Sequence, residues 1–139
     1  MVKYSLVGYD SSDTSQRAFR FAVELARAGG GRVRVVYVLQ VTQGGADACS
    51  LMITDESRQR TQEMLDELRA LAPDAIDRVD LEITHGSPGD VLLNQVRQHP
   101  DIDHIVIGHT SRGTLARWLL GSVSEDVLAG AHVPVTVVR

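Results

Sequence analysis

Blocks of apolar and polar residues follow one another along this chain, and their period switches repeatedly. Residues 3–9, KYSLVGY, form a short, mostly apolar run that predicts a strand. Asp10, Ser11, Ser12 and Asp13 come next, a run of helix-capping residues. Ala18, Phe21, Ala22, Leu25 and Ala28 then recur at helical spacing, and Gly29, Gly30 and Gly31 end that helix. Residues 32–41, RVRVVYVLQV, are rich in valine and predict a buried strand, followed by a polar, glycine-bearing loop over 42–50. From about 53 to 72 the period is helical again, with Met64, Leu65, Leu68 and Leu71 on one face and Pro73 as the stop. Residues 78–84, RVDLEIT, alternate as a half-exposed strand does.

Gly86-Ser87-Pro88 opens a further helix, with Ser87 as its cap, Pro88 in the first helical position, and Leu92, Leu93 and Val96 on its apolar side. His99-Pro100 ends it, and residues 103–108, DHIVIG, predict a strand. Val123, Val127, Leu128 and Ala131 fit a helix over 122–131, and VPVTVV at 133–138 closes as a strand. Pro134 lacks an N–H, so this last strand should start at an edge. Five strands alternating with four helices predict one α/β domain over residues 1–139: an open five-stranded parallel sheet with helices on both faces. Such sheets bind ligands beyond the carboxyl ends of their strands, where the strand order reverses. The end of the first strand (Gly8, Tyr9, Asp10), the end of the second (Val38 onward) and the loop from Gly108 are expected to converge there.

Composition narrows the chemistry. The chain has 139 residues, 43% hydrophobic and 23% charged, which suits one globular domain. Its net charge of −4 offers no basic field, which argues against nucleic acid or an anionic membrane as partner. Cys49 is the only cysteine, so neither an intrachain disulfide nor a multi-thiolate zinc site is available. The opening VKYSLVGYD is too short an apolar run for a signal peptide, and no stretch has membrane-spanning length. A cytoplasmic protein is expected. Lys3 is the only lysine, and the five histidines show no metal-binding spacing.

The chemistry concentrates in GHTSRGTLARWLLGSVSE, residues 108–125. It follows the phosphate loop GxxxxGK[ST] only to Gly113; Thr114 and Leu115 then stand where lysine and a metal-binding hydroxyl belong. His109 stands where a GxSxG nucleophile elbow needs its first glycine. What remains is Gly121-Ser122-Val123-Ser124 at a helix start, where free N–H groups and the helix dipole attract anions. Gly121 admits close backbone approach, Ser122 and Ser124 can donate hydrogen bonds, and His109, Arg112 and Arg117 stand near enough in sequence to meet a phosphate or to face solvent. For Ser122 the simpler alternative is a helix cap.

The strand ending in Asp10, Tyr37-Val38, GSPGDVLL, and above all LLGSVSEDVLAGAHVPVTVV give the chain a resemblance to the universal stress proteins over nearly its whole length. The ATP-binding branch of that family carries G-x2-G-x9-G-[ST]. Gly108 and Gly121-Ser122 match it, and Ser111 replaces the middle glycine. The resemblance implies a Rossmann-like fold of the adenine nucleotide alpha hydrolase kind, and ATP or AMP as ligand, with Mg²⁺ beside the triphosphate. By position it implies Asp10 near ribose or adenine, and Val38 contacting adenine through its backbone. It also implies Gly108 under the ribose and phosphates, with Gly121, Ser122, Val123 and Ser124 on phosphate oxygens. It further implies a homodimer through residues 133–138 acting in stress response. Two other readings stand beside it: an interaction protein of the same fold disabled for nucleotide by Ser111, and a weak nucleotidase with Asp10 as base.

Overall fold

A computed structural model describes residues 2–39, 50–86, 88–108 and 132–139. Strand β1 (Tyr4–Tyr9) leads into helix α1 (Asp13–Gly29), followed by β2 (Arg32–Leu39), α2 (Ser50–Leu71) and a 3-10 turn at Ile76–Arg78. Then come β3 (Val79–His85), α3 (Pro88–Gln98), β4 (His104–Gly108) and β5 (Val135–Val138). The strands lie in the order β3-β2-β1-β4-β5, and every neighbouring pair is parallel. The expected open parallel sheet is therefore present. The expected helix over 122–131 and residues 42–49 of the loop expected over 42–50 lie outside the described residues, while Ser50 instead begins α2.

The strand patterns explain the order. Tyr4–Tyr9 and His104–Gly108 are buried throughout, as strands in the middle of a sheet covered on both faces must be. Val79–His85 alternates polar with apolar, is half-exposed, and lies at an edge. Val7, Tyr9, Val33, Val35 and Val106 form a core with Ala18, Phe19, Ala22, Val23 and Ala26 of α1 and Met64 and Leu68 of α2. On the opposite face Tyr4, Leu6, Val36, Ile105 and Ile107 pack with Val91 and Leu92 of α3.

Helix α1 corrects one expectation. Its buried residues are Thr14, Ser15, Ala18, Phe19, Ala22, Val23 and Ala26, whereas Phe21 is 40% exposed. Apolar residues cover more than one side of this helix, so periodicity alone leaves its rotation open. The rotation is set at its start, where Thr14 and Ser15 are buried against Gly108. The ends follow the expected signals: Ser12 Oγ accepts the N–H of Ser15 at 3.3 Å, and Gly30 closes the helix at φ 69°.

Polar groups inside the sheet are paired. The carboxylate of Asp103 accepts the N–H groups of Lys3 and Tyr4 at 2.9 and 3.0 Å and ties β4 to the start of β1. Towards the β3 edge Asp80 accepts from Arg32 and from the Tyr4 hydroxyl, and the Arg32 guanidinium holds its carboxyl below the usual range. Arg34 donates to Gln95 of α3 at 2.6 Å. Across β1, β4 and β5, His104 lies between the hydroxyls of Ser5 (3.2 Å) and Thr136 (2.7 Å).

Candidate functional site

The strand order runs outward from β1 in both directions, β2 and β3 to one side, β4 and β5 to the other. The β1–β4 ladder extends from Ser5–His104 to Val7–Val106, yet β1 continues to Tyr9 and β4 to Gly108. The crevice of an open α/β sheet forms where two such strands part. Of the expected site residues, three are described. Asp10 follows the last residue of β1, Val38 is the penultimate residue of β2, and Gly108 ends β4, so all three lie at the carboxyl rim. Gly121, Ser122, Val123 and Ser124 lie outside the described residues, as does Ser111.

Each placement has a local cause. Asp10 is half-buried; its Oδ1 accepts the Ser12 N–H at 3.0 Å, and its own N–H points to Ser15 Oγ at 3.4 Å. Val38 pairs in register with Thr84 and packs against the core on the α3 side. Gly108 is the tightest point. A Cβ there would lie 2.5 Å from the Thr14 carbonyl carbon, 2.6 Å from its oxygen and 2.7 Å from Ser15 N. Lack of a side chain at 108 thus brings the first turn of α1 onto the rim.

Contacts that the sequence did not reveal, centred on Glu67, complete this end of the sheet. Ser11 has φ 66°, in the left-handed region that serine disfavours. Its hydroxyl donates to Glu67 Oε2 of α2 at 2.9 Å, and the Tyr9 hydroxyl donates to the same oxygen at 2.7 Å. Burial, with the Glu67 bond next, pushes the Tyr9 phenol far above its usual value, so it remains a donor at every physiological pH. Beside these groups opens a cavity of about 320 Å³, lined by Ser11, Tyr37, Arg60, Glu63, Met64 and Glu67. One signal could have pointed to Glu67: a carboxylate three residues from Met64 and next to Leu68, at the margin of an apolar stripe. Among the described residues no three carboxylate, imidazole or thiol groups gather as a metal site would need, and no helix is long and apolar enough to cross a membrane.

Fold and rim together define a doubly wound α/β domain whose strand order reverses between β1 and β4. The chain belongs to the universal stress protein family, whose sequence pattern matches residues 1–139. It is 32% identical to a universal stress protein of Thermus aquaticus over 141 residues, covering all of both chains. Among solved structures it is similar to the universal stress protein UspA of Lactobacillus plantarum, at 28% identity and a TM-score of 0.74, over 99% of this chain and 98% of that one. The universal stress protein of Archaeoglobus fulgidus, solved in complex with dAMP, superposes with a TM-score of 0.64 at 25% identity, over 100% of this chain and 98% of that one.

Proposed function

We propose that this protein is an adenine-nucleotide-binding module that holds ATP or AMP across the carboxyl rim, acts as a homodimer, and changes its partner contacts with occupancy. The carrying observation is the position of Asp10, Val38 and Gly108 on three strand ends around the β1/β4 parting. The dAMP complex of a family member supports the same ligand class.

In this reading the Asp10 carboxylate accepts hydrogen bonds from ribose hydroxyls or the adenine amine, and the Val38 backbone meets the adenine edge. Gly108 lies under the ribose and phosphates, while Gly121, Ser122, Val123 and Ser124 supply N–H and hydroxyl donors to phosphate oxygens. Mg²⁺ would accompany ATP and be held chiefly by phosphate oxygens and water. The dimer forms through residues 133–138.

The test is mass spectrometry of small molecules released from the denatured protein, with calorimetric titration by ATP–Mg²⁺. Adenine nucleotide in the release, or heat on titration, is the expected result. Ser122→Ala should then weaken ATP about tenfold, the worth of one hydrogen bond to a charged acceptor. Ser111, in place of the signature's middle glycine, favours a second reading: a dimeric interaction protein without nucleotide. Absence of heat at millimolar ATP would exclude the nucleotide reading and leave that one standing. Conversion of bound ATP to ADP on incubation would instead identify a slow nucleotidase.

A further inference from the structure

Ser11 and His132 are the non-glycine residues at positive φ among the described residues, and Ser11 directly follows the rim residue Asp10. A conformation that costs backbone energy persists only where surrounding contacts enforce it. Ser11 is held from two sides. Its hydroxyl donates to Glu67 Oε2 at 2.9 Å, across 56 residues of sequence, and its carbonyl accepts Gln16 Nε2 at 3.2 Å.

Glu67 is fixed in turn. The Tyr9 hydroxyl donates to the same oxygen, and Tyr9 is fully buried, edge-on to Phe19 at 6.3 Å. One carboxylate on α2 therefore joins the last residue of β1 to the second residue beyond it. Asp10 lies between those two contacts, and its Oδ1 accepts the N–H of Ser12 on the far side of Ser11. Turning Ser11 out of φ 66° would swing Ser12 away from Asp10.

We propose that Glu67 is a positioning residue of the rim, which keeps Ser11 in its left-handed conformation and thereby sets the direction of the Asp10 carboxylate. Its effect on ligand rests on the nucleotide-binding reading above; its effect on the turn does not. In this proposal Glu67 acts through its bond to Ser11.

The experiment uses the full chain and the variants Glu67→Ala, Glu67→Gln, Ser11→Ala, Ser11→Gly and Glu67→Ala with Ser11→Gly. Two quantities are read: ATP–Mg²⁺ affinity, and hydrogen exchange of the Ser12 amide by NMR. Glycine takes positive φ without strain, so Ser11→Gly frees the turn from its need for Glu67. Glu67→Ala should weaken ATP about tenfold and speed Ser12 exchange, as an untethered serine leaves the left-handed region. Ser11→Ala removes the same bond from the other end, leaves Tyr9 paired with Glu67, and should behave alike even if Glu67→Ala does not fold. Glu67→Gln keeps an acceptor oxygen for both hydroxyls and should stay within about threefold of the parent.

In the Ser11→Gly background Glu67→Ala should cost less than about threefold. That rescue separates positioning from a general structural role. Equal cost of Glu67→Ala in both backgrounds would overturn the proposal, as would Ser11→Ala behaving like Ser11→Gly, or unchanged Ser12 exchange in both alanine variants. If the parent itself binds no ATP, the nucleotide reading fails alone and the exchange pattern still decides the role of Glu67.

Discussion

Gly108 shows what a single residue does at the rim. The space where its side chain would stand is filled by the backbone of Thr14 and Ser15, closer than any Cβ tolerates. This part of the family signature therefore answers a packing need as well as any ligand. Gly108→Ala should destabilise the protein by about 3 kcal/mol, since the obstacle is main chain at a helix start and cannot turn aside. Denaturant midpoints would show it, and a shift under about 0.5 kcal/mol would contradict the close approach.

His104 makes a second residue-scale case. Burial pushes its pKa below the ordinary histidine value, against the pull of the Asp103 charge, and in the neutral ring each nitrogen faces a hydroxyl. The unfolded chain takes up this proton near pH 6.5, while the folded chain resists it. Below that pH the unfolded state binds more protons, so stability falls as pH drops from about 6.5 towards the folded pKa, and the group contributes no slope above about 7.5. Urea midpoints measured at about pH 7.5 and about pH 5.5 should therefore draw closer together in His104→Gln than in the parent.

At the scale of the element, α1 separates what a pattern can and cannot settle. Its limits were legible in the capping run before it and the glycines after it; its rotation was not. The apolar spacing placed Phe21 on the stripe and left Phe19 off it, yet Phe19 is fully buried and Phe21 is 40% exposed. Phe19→Ala should cost about 3–5 kcal/mol, through lost burial and the void left behind. Phe21→Ala should cost under about 1 kcal/mol. Thermal unfolding of the two variants checks the assignment, and reversed costs would mean that the helix is turned the other way.

At the scale of the whole molecule, the sheet has two different edges. β3 carries Asp80 and Glu82, which hold Arg32 and Arg34 across to β2. β5 is four residues long, follows Pro134, and exposes Val137 at 40%. An apolar edge of this kind is protected when a second copy pairs with it. Val137→Arg should therefore turn a dimeric parent into a monomer in sedimentation equilibrium with little change in fold by circular dichroism. A variant that sediments like its parent would move the interface elsewhere.

Over the described residues, the sequence by itself determined the main strands and helices, their order, most of their ends and the class of sheet. These follow from short-range periodicity, caps and breakers, which act within a few residues. It also determined that Asp10, Val38 and Gly108 would share a rim, because parallel strands joined by crossovers place all their carboxyl ends on one side. Only the tertiary structure decided the rotation of α1, the Ser5–His104–Thr136 line, the filled space beside Gly108, and the joining of Tyr9, Ser11 and Glu67. Each of these depends on groups far apart in the chain, and a serine at φ 66° leaves no mark in a pattern of apolar and polar residues. Such a conformation exists because a carboxylate 56 residues away makes it worth adopting, and that contact forms only when β1 and α2 have packed.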